Sequence, residues 1–126
     1  FRQDPRVEIA VLCDPDRANA ERLAREFGVD ARIETDESRA LRREVVDFAV
    51  LASPTTVHHR QAMVGLTEGL DLLIEKPIAS SVGEVDEIES AAQSSGRLVG
   101  VAYQRRFEAL YRTARRELRQ NKEKYG

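Results

Sequence analysis

Short apolar runs alternate with helical stripes along this chain. The apolar runs are rich in Val, Ile and Leu and end at turn residues, which is typical of strands covered on both faces. Strands are predicted over residues 8–13, 31–33, 47–52, 70–74 and 98–103. Helical spacing follows each run, with a weak helix over 38–43 among them. Alternation of this kind predicts right-handed βαβ crossovers and a parallel sheet, which is an α/β fold.

Several helices carry clear boundary signals. Gly28, Gly69 and Gly96 follow helical stripes and predict their ends. Ser81 and Glu84 form a capping box, which predicts that the fourth helix begins there. The inner stripes are predicted to contain Ala20, Leu23, Ala24 and Phe27 in the first helix, Val82, Val85, Ile88 and Ala92 in the fourth, and Phe107, Leu110, Tyr111, Ala114 and Leu118 in the last.

The composition narrows the class of protein. A length of 126 residues suits about one domain, and 41% hydrophobic with 33% charged residues indicates a folded chain. Lys plus Arg number 20 against 22 Asp plus Glu, so neither nucleic acid nor a membrane is expected as a partner. Cys13 is the single cysteine and is predicted to be a small buried hydrophobe. With no apolar segment near ~20 residues and no leader, a cytoplasmic location is expected.

Asp14 ends the first predicted strand. A dinucleotide-binding fold places an acidic side chain there to accept hydrogen bonds from ribose hydroxyls. The glycine-rich phosphate loop lies ~20 residues earlier in such folds, and here that position precedes Phe1. The alternative is that Asp14 caps the next helix with Pro15 at its first position. The two roles are compatible.

An uninterrupted apolar run ends at Ile74 and is followed by Glu75 and Lys76. Catalytic residues of parallel α/β sheets often lie at such strand ends. Pro77 restricts Lys76 to extended backbone, which limits the directions its amine can take. The alternative is an ordinary solvated lysine in a surface pair with Glu75.

The remaining chemical candidates are weaker. His58 and His59 are adjacent, whereas helical zinc sites use i, i+4 spacing, so no metal is predicted. His59 shares a register with Ala62, Met63 and Leu66, which predicts a half-buried packing role for it. The concentrated arginines, with interleaved aromatics, predict a solvated amphipathic helix, although an anion-binding face is the alternative. These arginines are Arg105, Arg106, Arg112, Arg115, Arg116 and Arg119.

Ordered features from about Val7 to Leu118 resemble the Gfo/Idh/MocA group of NAD(P)-dependent sugar oxidoreductases. Val11 to Asp14 is similar to the family's second strand with its ribose-binding acid. The turn from Ser53 to His58 is similar to its Thr-Pro-x-x-x-His segment beside the nicotinamide ribose. Glu75-Lys76-Pro77 resembles its most specific motif, and 101–107 resembles the segment often written Gly-x-x-x-Arg-Phe.

The resemblance implies hydride transfer between a nicotinamide cofactor and a sugar, polyol or related hydroxy compound. It implies NAD as cofactor, with NADP as the alternative, and a homo-oligomer in the full-length protein. Lys76 would be the catalytic residue. The implied cofactor-binding residues are Asp14, Ser53, Pro54, Thr55, His58, Glu75, Pro77 and Gln104.

The chain departs from the family pattern in three respects. The first strand with its glycine loop and the substrate domain are not found, and Gln104 stands where Asn or His is usual. We therefore expect a Rossmann-type doubly wound sheet lacking its first strand, with exposed edges on the strands ending at Asp14 and Ala52. Residues 1–104 are expected to form a partial dinucleotide-binding domain, and 105–126 a helix leading toward an absent substrate domain.

On this interpretation the chain is an inactive fragment of a longer oxidoreductase. Two alternatives remain open at the level of sequence. One is a non-catalytic nucleotide-binding or regulatory α/β domain, which would keep Asp14 without substrate-dependent reduction of NAD. The other is an interaction domain that uses its arginine-rich C-terminal helix, in which Lys76 has no catalytic part.

Overall fold

Strands and helices alternate through most of the chain in a computed structural model that describes residues 4–125. The strands are β1 (Val11–Cys13), β2 (Arg32–Glu34), β3 (Phe48–Leu51), β4 (Asp71–Ile74) and β5 (Val99–Val101). The helices are α1 (Arg17–Phe27), α2 (Glu37–Ala40), α3 (Thr55–Thr67), α4 (Val82–Ser95), α5 (Ala109–Gln120) and α6 (Lys122–Tyr125). A 3₁₀ turn, Gln104–Phe107, precedes α5. The predicted α/β class is confirmed.

All strand pairs in the described part of the chain are parallel, but they form two separate sheets. β1 pairs with β2, while β3, β4 and β5 form a three-stranded sheet in that order. β1 and β3 therefore each have one unpaired edge within residues 4–125, and Val50 of β3 is 45% exposed. This is the arrangement expected of a Rossmann-type sheet without its first strand.

The main core lies between the three-stranded sheet and helices α3 and α4. It contains Leu66, Leu70, Leu72, Ile74 and Ile88, and Ala62 of α3 is fully buried with them. Partly buried residues from β3, α4 and β5 surround this cluster. Because β4 lies in the centre of this sheet, the core fixes the position at which its last residue gives way to Glu75.

The helix boundaries follow the local sequence signals. Gly28 and Gly96 take left-handed backbone at the ends of α1 and α4, as predicted. Ser81 caps α4 by accepting from the Glu84 amide at 3.2 Å, and Glu84 accepts from the Ser80 amide at 2.8 Å. The predicted capping box is therefore confirmed, with the glutamate reaching one residue farther back than its usual partner.

Several predictions about burial and length were wrong. Cys13 is exposed, because β1 has only β2 beside it in the described chain. Val82 is 77% exposed in the first turn of α4, outside the packed face that contains Ile88. α2 ends at Ala40 rather than continuing to residue 43. Regular pairing also begins later in β1, at Val11, than the apolar run predicts.

The apolar stripe of α5 is also exposed. Phe107, Leu110 and Leu118 are 73%, 75% and 55% exposed, and Tyr111 is 44% exposed. Among residues 4–125, α5 packs mainly on the preceding 3₁₀ turn and on α6, so its amphipathic pattern was predicted correctly but not its burial. None of the described helices is long and apolar enough to cross a membrane.

Candidate active site

Three turns lie side by side where β3, β4 and β5 end. The Glu75 amide donates to the Leu51 carbonyl at 2.9 Å, and the Ala102 amide donates to the Ile74 carbonyl at 2.8 Å. These bonds continue the parallel ladder beyond the last strand residues and align the following turns. The turn at Ser53, the turn at Lys76 and the segment entering Gln104 therefore share one edge, the one at which α/β sheets bind ligands.

Lys76 is exposed on this edge. Its backbone amide donates to Glu75 Oε2 at 3.1 Å, and the Lys76–Pro77 peptide bond is cis. Its ammonium forms no ion pair with a carboxylate among residues 4–125, so the surface pair with Glu75 considered as an alternative is not formed. The ammonium is accordingly available to a bound molecule.

His58 is the buried histidine of the pair, with 1% exposure, and His59 is half-buried, as predicted. The buried stripe of α3 is His58, Ala62, Gly65 and Leu66, one residue earlier than the predicted register, because Gly65 belongs to the packed face. His59 instead lies 2.7 Å from Glu87 Oε2, on the side of α3 that meets α4. Sequence reasoning could have found this register by counting Gly65 as an interior position.

The imidazole of His58 joins two of the three turns. Its Nε2 lies 2.8 Å from the Ser53 carbonyl oxygen, and its Nδ1 lies 3.0 Å from the Pro77 carbonyl oxygen. Both ring nitrogens are therefore used by protein groups, and the buried ring has no free edge to present to a ligand. His58 therefore lies beneath the two turns and contacts their main-chain carbonyl groups.

A polar network behind Ser53 was missed from the sequence. The Ser53 hydroxyl donates to Gln61 Oε1 at 2.5 Å, and Gln61 Nε2 donates to Glu37 Oε2 at 2.8 Å. Arg60 donates to the other Glu37 oxygen. The network ties the Ser53 turn to α2. Its only sequence signal is a glutamine three residues after His58, at a spacing that brings both side chains to one side of α3.

Asp14 lies directly after β1, apart from the three aligned turns. Its Oδ1 accepts from the Asp16 amide at 2.8 Å and from Asn19 Nδ2 at 3.4 Å. The predicted alternative of Asp14 as the helix cap was wrong, because Asp16 caps α1 by accepting from the Ala18 amide at 3.0 Å. Asp14 Oδ2 accepts no hydrogen bond from the described residues.

Cys13 stands beside this acidic group. Burial of the sulfur raises the pKa of the Cys13 thiol, and the nearby carboxylates of Glu37, Glu34, Asp36 and Asp14 raise it further. The thiol form is favoured as a result, and a thiolate nucleophile is disfavoured.

The structure brings together most of the predicted site residues. Ser53, Pro54, Glu75, Lys76 and Pro77 lie in two adjoining turns, and Thr55 is the first residue of α3. Gln104 is exposed at the start of the 3₁₀ turn, just beyond the third strand end. No group of three or more His, Cys, Asp or Glu side chains suited to a metal ion occurs in residues 4–125.

Comparison with known proteins identifies the family to which this chain belongs. The Gfo/Idh/MocA model, which describes an oxidoreductase family with an NAD-binding Rossmann fold, matches residues 1–103. The chain belongs to this family. An inositol 2-dehydrogenase from Saccharopolyspora erythraea is 33% identical over 114 residues, covering 89% of this chain and 33% of that protein. The scyllo-inositol 2-dehydrogenase (NAD(+)) of Bacillus subtilis is 26% identical, covering 90% and 33%.

Solved structures of the family have the same fold. A scyllo-inositol dehydrogenase from Lactobacillus casei, with bound NAD(H) and scyllo-inositol, superposes with a TM-score of 0.83 at 21% identity, covering 95% of this chain and 35% of that one. The predicted family and Rossmann-type fold are thus confirmed. The chain spans about a third of the length of the curated relatives named above.

Proposed function

We propose that this chain forms part of the nucleotide-binding portion of an NAD-dependent oxidoreductase acting on a sugar, polyol or related hydroxy compound. The observation that carries the proposal is the alignment of the three strand ends, which places an exposed Lys76, without an ion pair among residues 4–125, beside the Ser53 turn. Inositols are the first compounds to test, because relatives at 33% and 26% identity are inositol dehydrogenases.

The residues present suit a dinucleotide. Asp14 retains one carboxylate oxygen that could accept from the adenosine ribose hydroxyls. A nicotinamide ribose would lie at the edge bordered by two turns, one containing Ser53, Pro54 and Thr55 and the other containing Glu75 to Pro77. Gln104 borders the same edge. When bound, NAD supplies the acceptor for the hydride. His58 belongs to this proposed site as a support, since both its nitrogens are already used.

Lys76 has a specific part in the proposed reaction. Oxidation of a carbinol moves a hydrogen with its electron pair from carbon to the cofactor, and the hydroxyl proton must leave the oxygen. In the oxidation, the neutral amine of Lys76 would accept this proton and become an ammonium. In the reverse reduction, that ammonium would donate to the carbonyl oxygen, stabilise the negative charge developing there and return the proton. A compact amine on an exposed turn can approach a substrate oxygen in this way.

The organisation of the whole protein is also proposed. Residues 1–104 would form part of the dinucleotide-binding domain, and 105–126 would lead to a substrate domain. We propose a homo-oligomer and a cytoplasmic location, the latter because a single cysteine cannot form an internal disulfide. Reading the coding frame upstream of Phe1 tests the organisation, since a strand followed by a glycine-rich loop is expected there.

Substitution of Lys76 tests the proposed chemistry. In the complete coding frame, assayed with NAD against myo-inositol, scyllo-inositol and a panel of sugars, Lys76→Met should lower kcat by ~10²-fold or more. Lys76→Arg should also be impaired, because a planar fork replaces a compact donor. NAD affinity should be retained, since the adenosine end is expected to depend on Asp14.

Lys122→Met is the matched control, because Lys122 is an exposed lysine on α6 away from the strand ends. It should leave kcat unchanged. Near wild-type turnover by Lys76→Met would remove the catalytic role. If the unsubstituted protein binds NAD but oxidises no member of the panel, the non-catalytic nucleotide-binding alternative becomes the better account.

A further inference from the structure

The strongest unexplained feature of the site is the burial of an entire imidazole between two main-chain carbonyls. A carbonyl oxygen only accepts hydrogen bonds, so His58 can hold Ser53 or Pro77 only through a ring N–H. A neutral ring has one N–H and a doubly protonated ring has two. A residue serving only to fill space would need neither polar contact, and buried polar groups are costly unless they are bonded.

We propose that His58 is a positioning residue that holds the Lys76 turn against the Ser53 turn. This inference deepens the proposed function and rests on it. The bond to Pro77 acts at the residue that follows Lys76, and the bond to Ser53 acts at the residue before Pro54. One side chain therefore spans the two turns that border the proposed nicotinamide and substrate positions, and it bonds each carbonyl for which the facing ring nitrogen bears a proton.

The Ser53 turn has a second side-chain hydrogen bond to α3 besides the one from His58, and this bond does not hold the Lys76 turn. Ser53 is also held through its hydroxyl by Gln61, which Glu37 holds in turn. On the other turn, Glu75 is anchored by its amide to Leu51, and Ser80 by its amide to Glu84. Between these anchors, Ile78 and Ala79 pack on the core, and the bond from His58 to Pro77 is the side-chain hydrogen bond to α3 found within the described residues. Its loss should therefore affect Lys76 more than Ser53.

Two amide side chains can separate the two bonds. The amide nitrogen of asparagine is as many bonds from Cα as His Nδ1, and that of glutamine as many as His Nε2. His58→Asn should thus keep the bond to Pro77 and lose that to Ser53, whereas His58→Gln should do the reverse. His58→Phe removes both bonds while retaining a ring. His59→Gln is the control, because His59 contacts Glu87 outside the site.

Kinetics of the complete protein, with NAD and the polyol oxidised in the panel above, give the first test. His58→Gln should lower kcat by ~10-fold or more with the KM for NAD within ~2-fold, because displacement of a reacting group by about an ångström carries a cost of this size or larger. His58→Asn should be impaired less, with a kcat at least ~3-fold above that of His58→Gln. Equal impairment of the two variants, or none in His58→Gln, would overturn the proposal.

Amide hydrogen exchange gives a readout that does not depend on turnover. Exchange over residues 75–80 should be faster in His58→Gln than in His58→Asn, and the order should reverse over 50–56. If His58→Phe folds, its amide exchange should be faster than in the unsubstituted protein over both segments. Exchange in His59→Gln should be unchanged over both. If the unsubstituted protein shows no turnover, the proposed function fails while this pattern still supports the positioning role. Equal exchange in the two amide variants would overturn it.

Discussion

At the scale of single residues, the two carboxylate oxygens of Asp14 differ in their partners. Its Oδ1 organises the turn before α1, and its Oδ2 has no donor within the described residues. The division leaves the helix cap to Asp16. A carboxylate at this position favours two ribose hydroxyls over a 2′-phosphate, which would bring like charges together.

Asp14→Ser should therefore narrow the preference for NAD over NADP at least ~3-fold in kcat/KM in the complete protein. Arg17 lies nearby but pairs with Glu21 at 2.8 Å, so its approach to a phosphate requires a surface pair to open. Such pairs are weak, and the gain for NADP should be real but modest. The ratio of kcat/KM for the two cofactors is the measurement, with Asp30→Ser as a control on an exposed loop. An unchanged ratio would mean that Asp14 stabilises the turn before α1 and takes no part in cofactor choice.

The histidine pair shows what a sequence reveals about a site and what it conceals. The positions of Asp14, Ser53 and Lys76 at strand ends followed from apolar runs and turn residues. The burial of His58 did not, because the stripe through His59, Ala62 and Met63 is also plausible for a helix. Only the packed neighbour across Gly65 distinguishes the two registers. The contacts to the Ser53 and Pro77 carbonyls depend on residues distant in sequence and carry no local signal.

Helix α3 packs closely on β4 at Gly65. A Cβ placed there would lie 2.8 Å from Leu72 Cδ2, and Leu72 is itself buried. Gly83, in the first turn of α4, has nothing closer to such a Cβ than Ser81 Oγ at 4.0 Å. Substitution by alanine would therefore add a methyl group to a crowded position at Gly65 and to an open one at Gly83.

Gly65→Ala should lower the free energy of unfolding by ~1–2 kcal/mol, because overpacking outweighs the helix propensity gained. Gly83→Ala should raise it by ~0.5 kcal/mol, since only propensity changes. Urea denaturation followed by circular dichroism measures both. Stabilisation by the two substitutions alike would mean that α3 and β4 do not pack as closely as described.

At the level of elements, the boundaries were better predicted than the burial. Caps such as Ser81 and Gly96 act through bonds to amides and carbonyls within a few residues, so sequence alone specifies them. Exposure depends on what lies across the packed face. α5 and β1 have the patterns of covered elements, and residues 4–125 do not cover them.

For the whole molecule, binding of a dinucleotide depends on where its pyrophosphate can lie, and the N-terminus of α1, the helix after Asp14, is already capped by Asp16. Amides at a helix N-terminus usually hold this group. At α1 the Ala18 amide already donates to the Asp16 side chain and the Asn19 amide to the Asp16 carbonyl, and Asp14 adds further negative charge. The 126-residue chain alone should therefore bind NAD weakly, with a dissociation constant of about a millimolar or above. Calorimetry with NAD measures this, and micromolar affinity would contradict it.

The uneven distribution of the core has a consequence for cooperativity. The large cluster packs α3 and α4 on β4, whereas the β1–β2 pair and α1 contribute little to it. Regions with few buried apolar contacts open at lower free energy than the rest, so these two parts should behave as separate foldons. A dinucleotide that reached from Asp14 to the Lys76 turn would bind only when both were closed, and would couple them by mass action. Cofactor binding would then complete the folding of the domain as well as its active site.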